Sequence, residues 1–160
     1  MHGKCVTTLF TMKTIGGLRS TSDHTNSTPP EKKMFAEYNP NPSGRNVGDC
    51  AVRAIAKALD IDWEKAYAKL VTNGYAMSDM PSADSVWGSV LRQNGFYRES
   101  IPNTCPDCYT AYDFCIDHPD GVFVLSFGGH VATVKDGTLY DSWNSEREVP
   151  VYYWYRKEDK

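Results

Sequence analysis

The sequence predicts an α+β domain, and three observations point there. Apolar residues recur at three- and four-residue spacing between residues 50 and 93, strand-like runs replace that pattern after Pro119, and an Asp-Gly pair divides two of those runs. Helices first and strands second form segregated layers. In this arrangement an N-terminal helix bearing Cys50 packs on a C-terminal antiparallel sheet bearing His130 and Asp141.

Residues 1–33 stand apart from the rest. Ser20 to Pro30 is dominated by Ser, Thr, Asn and Pro and offers almost nothing to bury. Residues 1–33 are therefore expected to be a disordered or non-native N-terminal extension ahead of a domain spanning 34–160. Tyr38 to Gly48 (YNPNPSGRNVG) has the composition of a loop. A first helix is expected at Cys50–Leu59, where Val52, Ile55, Ala56 and Leu59 share one apolar face. Asp49 stands where its cap should be, accepting from the free amides of the first turn. A second helix is expected over 63–72, capped by Asp62 and stopped by Asn73-Gly74. A third runs from Ser82 or Ala83 to Gln93 and ends at Asn94-Gly95. A short fourth covers Ala111–Asp117, with Thr110 as cap, Asp113 three residues on and Pro119 beyond its end. Strands follow at 122–127, 131–134, 138–143 and 151–155, and the middle two are joined by a tight hairpin at Asp136-Gly137. The chain has no internal repeat of solenoid period.

Bulk properties exclude several classes. A chain of 160 residues suits one domain with a real core. The net charge is −3 with both signs mixed along the chain, so the clustered cations of a nucleic-acid footprint are missing and no nucleic-acid partner is expected. No apolar stretch approaches a membrane span, and no leader-like pattern follows Lys4, so neither a membrane partner nor a secretory signal is expected. The five cysteines are odd in number and widely spaced. That argues against a disulfide scaffold and for a reducing, cytoplasmic location. Each thiol is then left to packing, metal binding or catalysis.

Cys50 opens a helix, where free amides and the helix dipole favour a thiolate, the form that acts as nucleophile. Gly48 lets the chain turn into that helix and leaves room for a substrate carbonyl. The structural alternative is a small core thiol on an amphipathic helix. His130 follows Gly128-Gly129 and opens the apolar strand Val131–Val134, so it can project into a cleft; its alternative is a hydrogen-bonded histidine at a sheet edge. Cysteine nucleophiles work with a histidine whose other nitrogen is held by a carboxylate or amide. The hairpin at Asp136-Gly137 brings Asp141 back beside His130, as a near cross-strand neighbour. Trp63, Trp87, Trp143, Trp154 and the tyrosines suit core and sheet surface, or a substrate groove.

GDC at 48–50 opening a helix, GHVATV at 129–134 and DSW at 141–143 resemble the motifs of papain-like cysteine peptidases. The resemblance spans roughly residues 38–155 in order. It implies a papain-like fold in which Cys50 is the nucleophile, His130 its base, and Asp141 takes the place of the orienting Asn, as in several bacterial members. Trp143 matches the tryptophan that shields that orienting side chain. YNPNP before Cys50 and VPVYYW near the end also resemble small proteins of phages and gut bacteria. One position departs from the family. A Gln six residues before the cysteine supplies an oxyanion-hole donor, and here position 44 is glycine. Asn46 is the candidate substitute, with the backbone N–H of Cys50 as the other donor; a loop asparagine capping its own turn is the alternative.

Cys105, Cys108, Cys115 and His118 form a C-x2-C-x6-C-x2-H pattern, four potential zinc ligands at short spacing. The preferred reading puts Cys115 in the core beside Phe114 and lets His118-Pro119 end a helix, so no metal and no cofactor are expected. A redox pair at Cys105 and Cys108 lacks the preceding strand of a thioredoxin-like motif. The function expected is a thiol hydrolase, a peptidase or amidase acting on a peptide or protein through an acyl-enzyme on Cys50; deamidation and acyl transfer use the same groups. The alternative is a papain-fold module, catalytically weak, that holds a protein or peptide partner in its cleft. The oligomeric state is not legible in the sequence.

Overall fold

Residues 34–159 are described by a computed structural model; residues 1–33, Cys5 among them, lie outside the described residues. In chain order the elements are β1 (Phe35–Glu37), α1 (Cys50–Leu59), α2 (Trp63–Met77), α3 (Asp84–Gln93), β2 (Tyr97–Ser100), α4 (Ala111–Asp117), β3 (Val122–Ser126), β4 (Val131–Lys135), β5 (Thr138–Asp141) and β6 (Tyr152–Tyr155), followed by a 3₁₀ turn at Lys157–Asp159. The domain is α+β, with four helices and one six-stranded sheet among the described residues, in the order β1-β5-β4-β3-β6-β2.

The sheet is mixed, not antiparallel throughout. β1 lies parallel to β5, with Phe35 opposite Leu139 and Glu37 opposite Asp141, while every other pairing is antiparallel. Successive residues of a strand face opposite sides, and here both sides are buried. Val124, Val131, Tyr152 and Trp154 pack under α1, α2 and α3, whereas Phe123, Leu125, Ala132, Val134 and Tyr153 pack with Phe114 and Cys115 of α4. The outcome is three layers: three helices, the sheet, and α4 on the far side. The β4–β5 turn falls at Asp136-Gly137, where both residues have positive φ (52° and 66°), the backbone that a two-residue mirror-image hairpin requires.

α1 is buried nearly all round, because it lies between the sheet and the other two helices. Ala51, Val52, Ala54, Ile55, Ala56 and Ala58 are all buried, a broader surface than the single face expected. Its four alanines allow that close approach, and the Thr133 hydroxyl on β4 donates to the Ala54 carbonyl at 2.9 Å, tying helix to sheet. α2 is capped by Asp62, whose carboxylate accepts from the Lys65 amide at 2.8 Å. It does not stop at Asn73-Gly74. It runs on to Met77 and ends at Ser78 in the left-handed region. Gly74 serves packing instead: a Cβ there would stand 2.8 Å from the Asp79 carbonyl oxygen. α3 begins at Asp84, with Ala83 as its cap residue. α4 has the expected bounds and the expected capping box between Thr110 and Asp113. β3, β5 and β6 are each slightly shorter than predicted.

Candidate active site

Cys50 is the first residue of α1, half-buried, facing the start of β4. The Val131 amide, at the first position of β4, donates to its sulfur, as does the Ala51 amide at the helix start. The loop between β3 and β4 is closed by the Phe127 amide donating to the His130 carbonyl at 2.9 Å, with Gly128 at φ 83° making the bend. That bend carries the His130 ring over the thiol, and the two side chains are hydrogen-bonded. Nε2 of His130 meets Oδ2 of Asp141 at 2.5 Å, which leaves Nδ1 for the thiol.

Asp141 ends β5, and its side chain is almost wholly buried. The β4–β5 register pairs Thr133 with Tyr140, so one further step would set Asp141 opposite Ala132. His130 is thus a diagonal rather than a direct neighbour, a distance that an imidazole spans. Three other groups fix the carboxylate and its backbone. Ser145 Oγ donates to Oδ2 at 2.6 Å, the Ser142 amide donates to Oδ1 at 2.7 Å, and the Tyr38 amide beyond β1 donates to the Asp141 carbonyl at 2.7 Å. Ser145, fully buried, is a site residue that sequence reasoning missed; the only hint is a hydroxyl four residues after the acid. The ring of His130 lies between Phe127 (5.9 Å) and Trp143 (5.5 Å, 42° tilt), and Trp143 itself is half exposed.

The electrostatics of this cluster favour charge separation. Burial pushes the Cys50 thiol up, but the bond to His130, the Val131 amide, the imidazolium charge and the Ala51 amide together bring it below its ordinary value. Burial works against a charged imidazole too, yet the Asp141 and Cys50 bonds and their negative charges raise His130 to about 9. The two groups are driven the same way, toward thiolate beside imidazolium.

Behind Cys50 lies a second buried cluster. Asp49 makes no side-chain cap to α1. Its carboxylate instead pairs with the Arg53 guanidinium one helical turn on, and accepts from Trp63 Nε1 at 2.9 Å and Asn41 Nδ2 at 3.2 Å. A buried guanidinium needs a counter-charge more than a helix start needs a cap, which is why the carboxylate turns inward. The i,i+4 spacing of Asp49 and Arg53 is the sequence signal for this pair.

The remaining candidates lie outside the hydrogen-bonded cluster of Cys50, His130 and Asp141. Asn46 is exposed on the loop four residues before Cys50, and Gly44, at φ 63°, sits in the turn before it. Gly48 has no positive φ, and a Cβ there would meet nothing within 4 Å, so the space beside it is open without the backbone requiring glycine. Cys115 is buried in the α4 layer; the His118 ring stacks on Phe114 at 3.9 Å, and its Nδ1 is 3.0 Å from the Phe114 carbonyl. Cys105 and Cys108 are exposed, and the neighbouring Cys105 sulfur holds the Cys108 thiol above its ordinary value. Among the described residues no group of three or more His, Cys, Asp or Glu is arranged to hold a metal ion, and no helix is long and apolar enough to cross a membrane.

Compared with protein-family models, with curated proteins and with solved structures, the chain finds no match in any of the three.

Proposed function

We propose that the chain is a papain-like cysteine hydrolase, a peptidase or amidase in which Cys50 is the nucleophile, His130 the proton carrier and Asp141 the residue that orients the imidazole. The observation that carries this reading is one contiguous relay: a thiol at a helix N-terminus, bonded to an imidazole whose Nε2 meets a buried carboxylate at 2.5 Å. The Cys50 thiolate adds to the carbonyl carbon of a peptide or amide, and the carbonyl π pair moves onto oxygen. The backbone N–H of Cys50 and the Asn46 side chain are the donors proposed for that oxyanion. The adduct collapses, the C–N bond breaks, and the leaving amine takes the proton from His130. Water then gives a proton to the neutral imidazole and adds to the thioester; the acid departs and thiolate and imidazolium return. A thiolate of this kind works only while reduced, which suits the cytoplasm.

One observation favours a second reading, a binding module of the same fold. With glycine at position 44, the donor from the side chain must come from an exposed loop residue. A peptide aldehyde separates the two. It should form a thiohemiacetal on Cys50, seen by mass spectrometry and lost in Cys50→Ser. An aldehyde that leaves Cys50 unmodified, while iodoacetamide still alkylates it, would favour the binding module.

A further inference from the structure

A groove of about 390 Å³ runs beside the segment that enters Cys50. The 41–49 loop forms one wall, with Val47 and Gly48 at its lip; Trp63 and Tyr67 of α2 form the other. Both walls are pinned to one carboxylate. Trp63 Nε1 and Asn41 Nδ2 each donate to Asp49 Oδ2, and Asn41 Oδ1 accepts from the Ser43 amide and hydroxyl at 3.0 and 2.9 Å. Trp63 and Tyr67 stack face to face, 4.9 Å apart and 8° from parallel, with Tyr67 half exposed on the helix surface that lines the groove. A wall already fixed in place loses little freedom when a ligand settles on it.

The charge of the groove is one-sided. Its charged lining residues are Arg45 and Asp49, and Asp49 is met from behind by Arg53. Arg45 is exposed and has no ion-pair partner among the described residues. The groove therefore offers a flat aromatic surface, a short apolar lip and one free guanidinium.

We propose that this groove selects the substrate: it takes an aromatic side chain of a peptide against Tyr67 and Val47, and the carboxylate of an adjacent acidic residue on Arg45. Its role as a substrate subsite rests on the hydrolase reading, whereas the peptide selectivity does not. Gly48 and Asp49, the two residues that precede Cys50, line the groove, and the space beside Gly48 is open, since a Cβ there would meet nothing within 4 Å.

The test is an amide NMR titration of the full chain carrying Cys50→Ala, at low salt, with three capped tetrapeptides containing Phe-Glu, Phe-Gln or Phe-Lys. The Phe-Glu peptide should shift the amides of residues 41–49 and 63–67 and bind up to about fivefold tighter than Phe-Lys, the range of one exposed ion pair. Arg45→Gln should erase the difference between the three, and Tyr67→Ala should weaken them all by about tenfold through loss of the ring contact. Both substitutions are at exposed side chains, and retained thermal midpoints confirm an intact fold. Equal affinity for all three peptides, or shifts confined to a separate groove lined by Ile101, Cys105, Tyr109 and Val151, would overturn the proposal. Iodoacetamide labelling of the unsubstituted chain keeps the two ideas apart: an inert Cys50 with the predicted selectivity sinks the hydrolase and leaves the groove standing.

Discussion

A ring nitrogen held by a buried carboxylate has one tautomer and one orientation, and that makes His130 useful to the sulfur beside it. Asp141 is fixed by Ser145, Ser142 and the sheet backbone, so the imidazole cannot turn away without breaking the 2.5 Å contact. The thiol gains from the ring twice, through a hydrogen bond and through charge, while burial alone would raise its pKa. Replacing His130 with Ala removes both gains and leaves the Val131 and Ala51 amides. The Cys50 pKa should rise, and alkylation by iodoacetamide at about pH 6 should fall, by up to about tenfold for each pH unit of that rise. Peptide mapping after a brief reaction checks this. In the unsubstituted chain Cys50 should label ahead of Cys108, whose thiol is held above its ordinary value. Prior labelling of Cys108 or Cys105 with Cys50 untouched would remove the ion pair from consideration.

At the scale of elements, the start of α1 is held by a buried ion pair, while the start of α4 is held by a cap. Asp49→Ala strands the Arg53 guanidinium in the core and should cost about 3–5 kcal/mol in denaturant unfolding, whereas Thr110→Ala loses only a capping box and should cost about 1 kcal/mol. If the two cost the same, Asp49 is acting as an ordinary cap. The contrast also marks how far sequence reaches. α4 is legible because its cap, its box partner and its apolar residues are local. The role of Asp49 is not, because Trp63 and Asn41 meet it beside Arg53 only after α2 and the 41–48 loop have folded back. β1 and β2 leave no signal: each is a short edge strand of mixed polarity, and β1 exists through a parallel pairing over a hundred residues away. Cys50, His130 and Asp141 can be drawn together from sequence because a helix start, a glycine pair and a two-residue turn are local features. That β1 and Ser145 hold Asp141 in place depends on tertiary contacts, which no local pattern encodes.

For the whole molecule, the site bears on stability through the number of protons it binds. At pH 8 the unfolded chain has a neutral imidazole, ordinary value 6.5, and a protonated Cys50 thiol, ordinary value 9.0: one proton in all. The folded pair, as thiolate and imidazolium, also binds one. Folding moves the proton from sulfur to nitrogen without changing the count, so with the folded thiol ionised the site adds almost no pH slope once the pH is well above the ordinary imidazole value of 6.5 and still below about 9. Cys50→Ser removes the titrating sulfur. Asp141 still raises His130 in the folded state, though to less than about 9, since the Cys50 contribution is gone. A raised folded pKa contributes stability that is complete below 6.5 and lost as pH climbs through the folded value. The variant should therefore lose stability relative to the parent between pH 7 and pH 8, by up to about 1.4 kcal/mol over that one pH unit where Asp141 alone keeps the imidazole charged through it. Denaturant midpoints of both proteins at the two pH values measure this, and the other titrating groups cancel in the difference. Parallel pH profiles would mean that Asp141 does not hold a proton on His130 by itself, and that the imidazolium exists only in the presence of the thiolate.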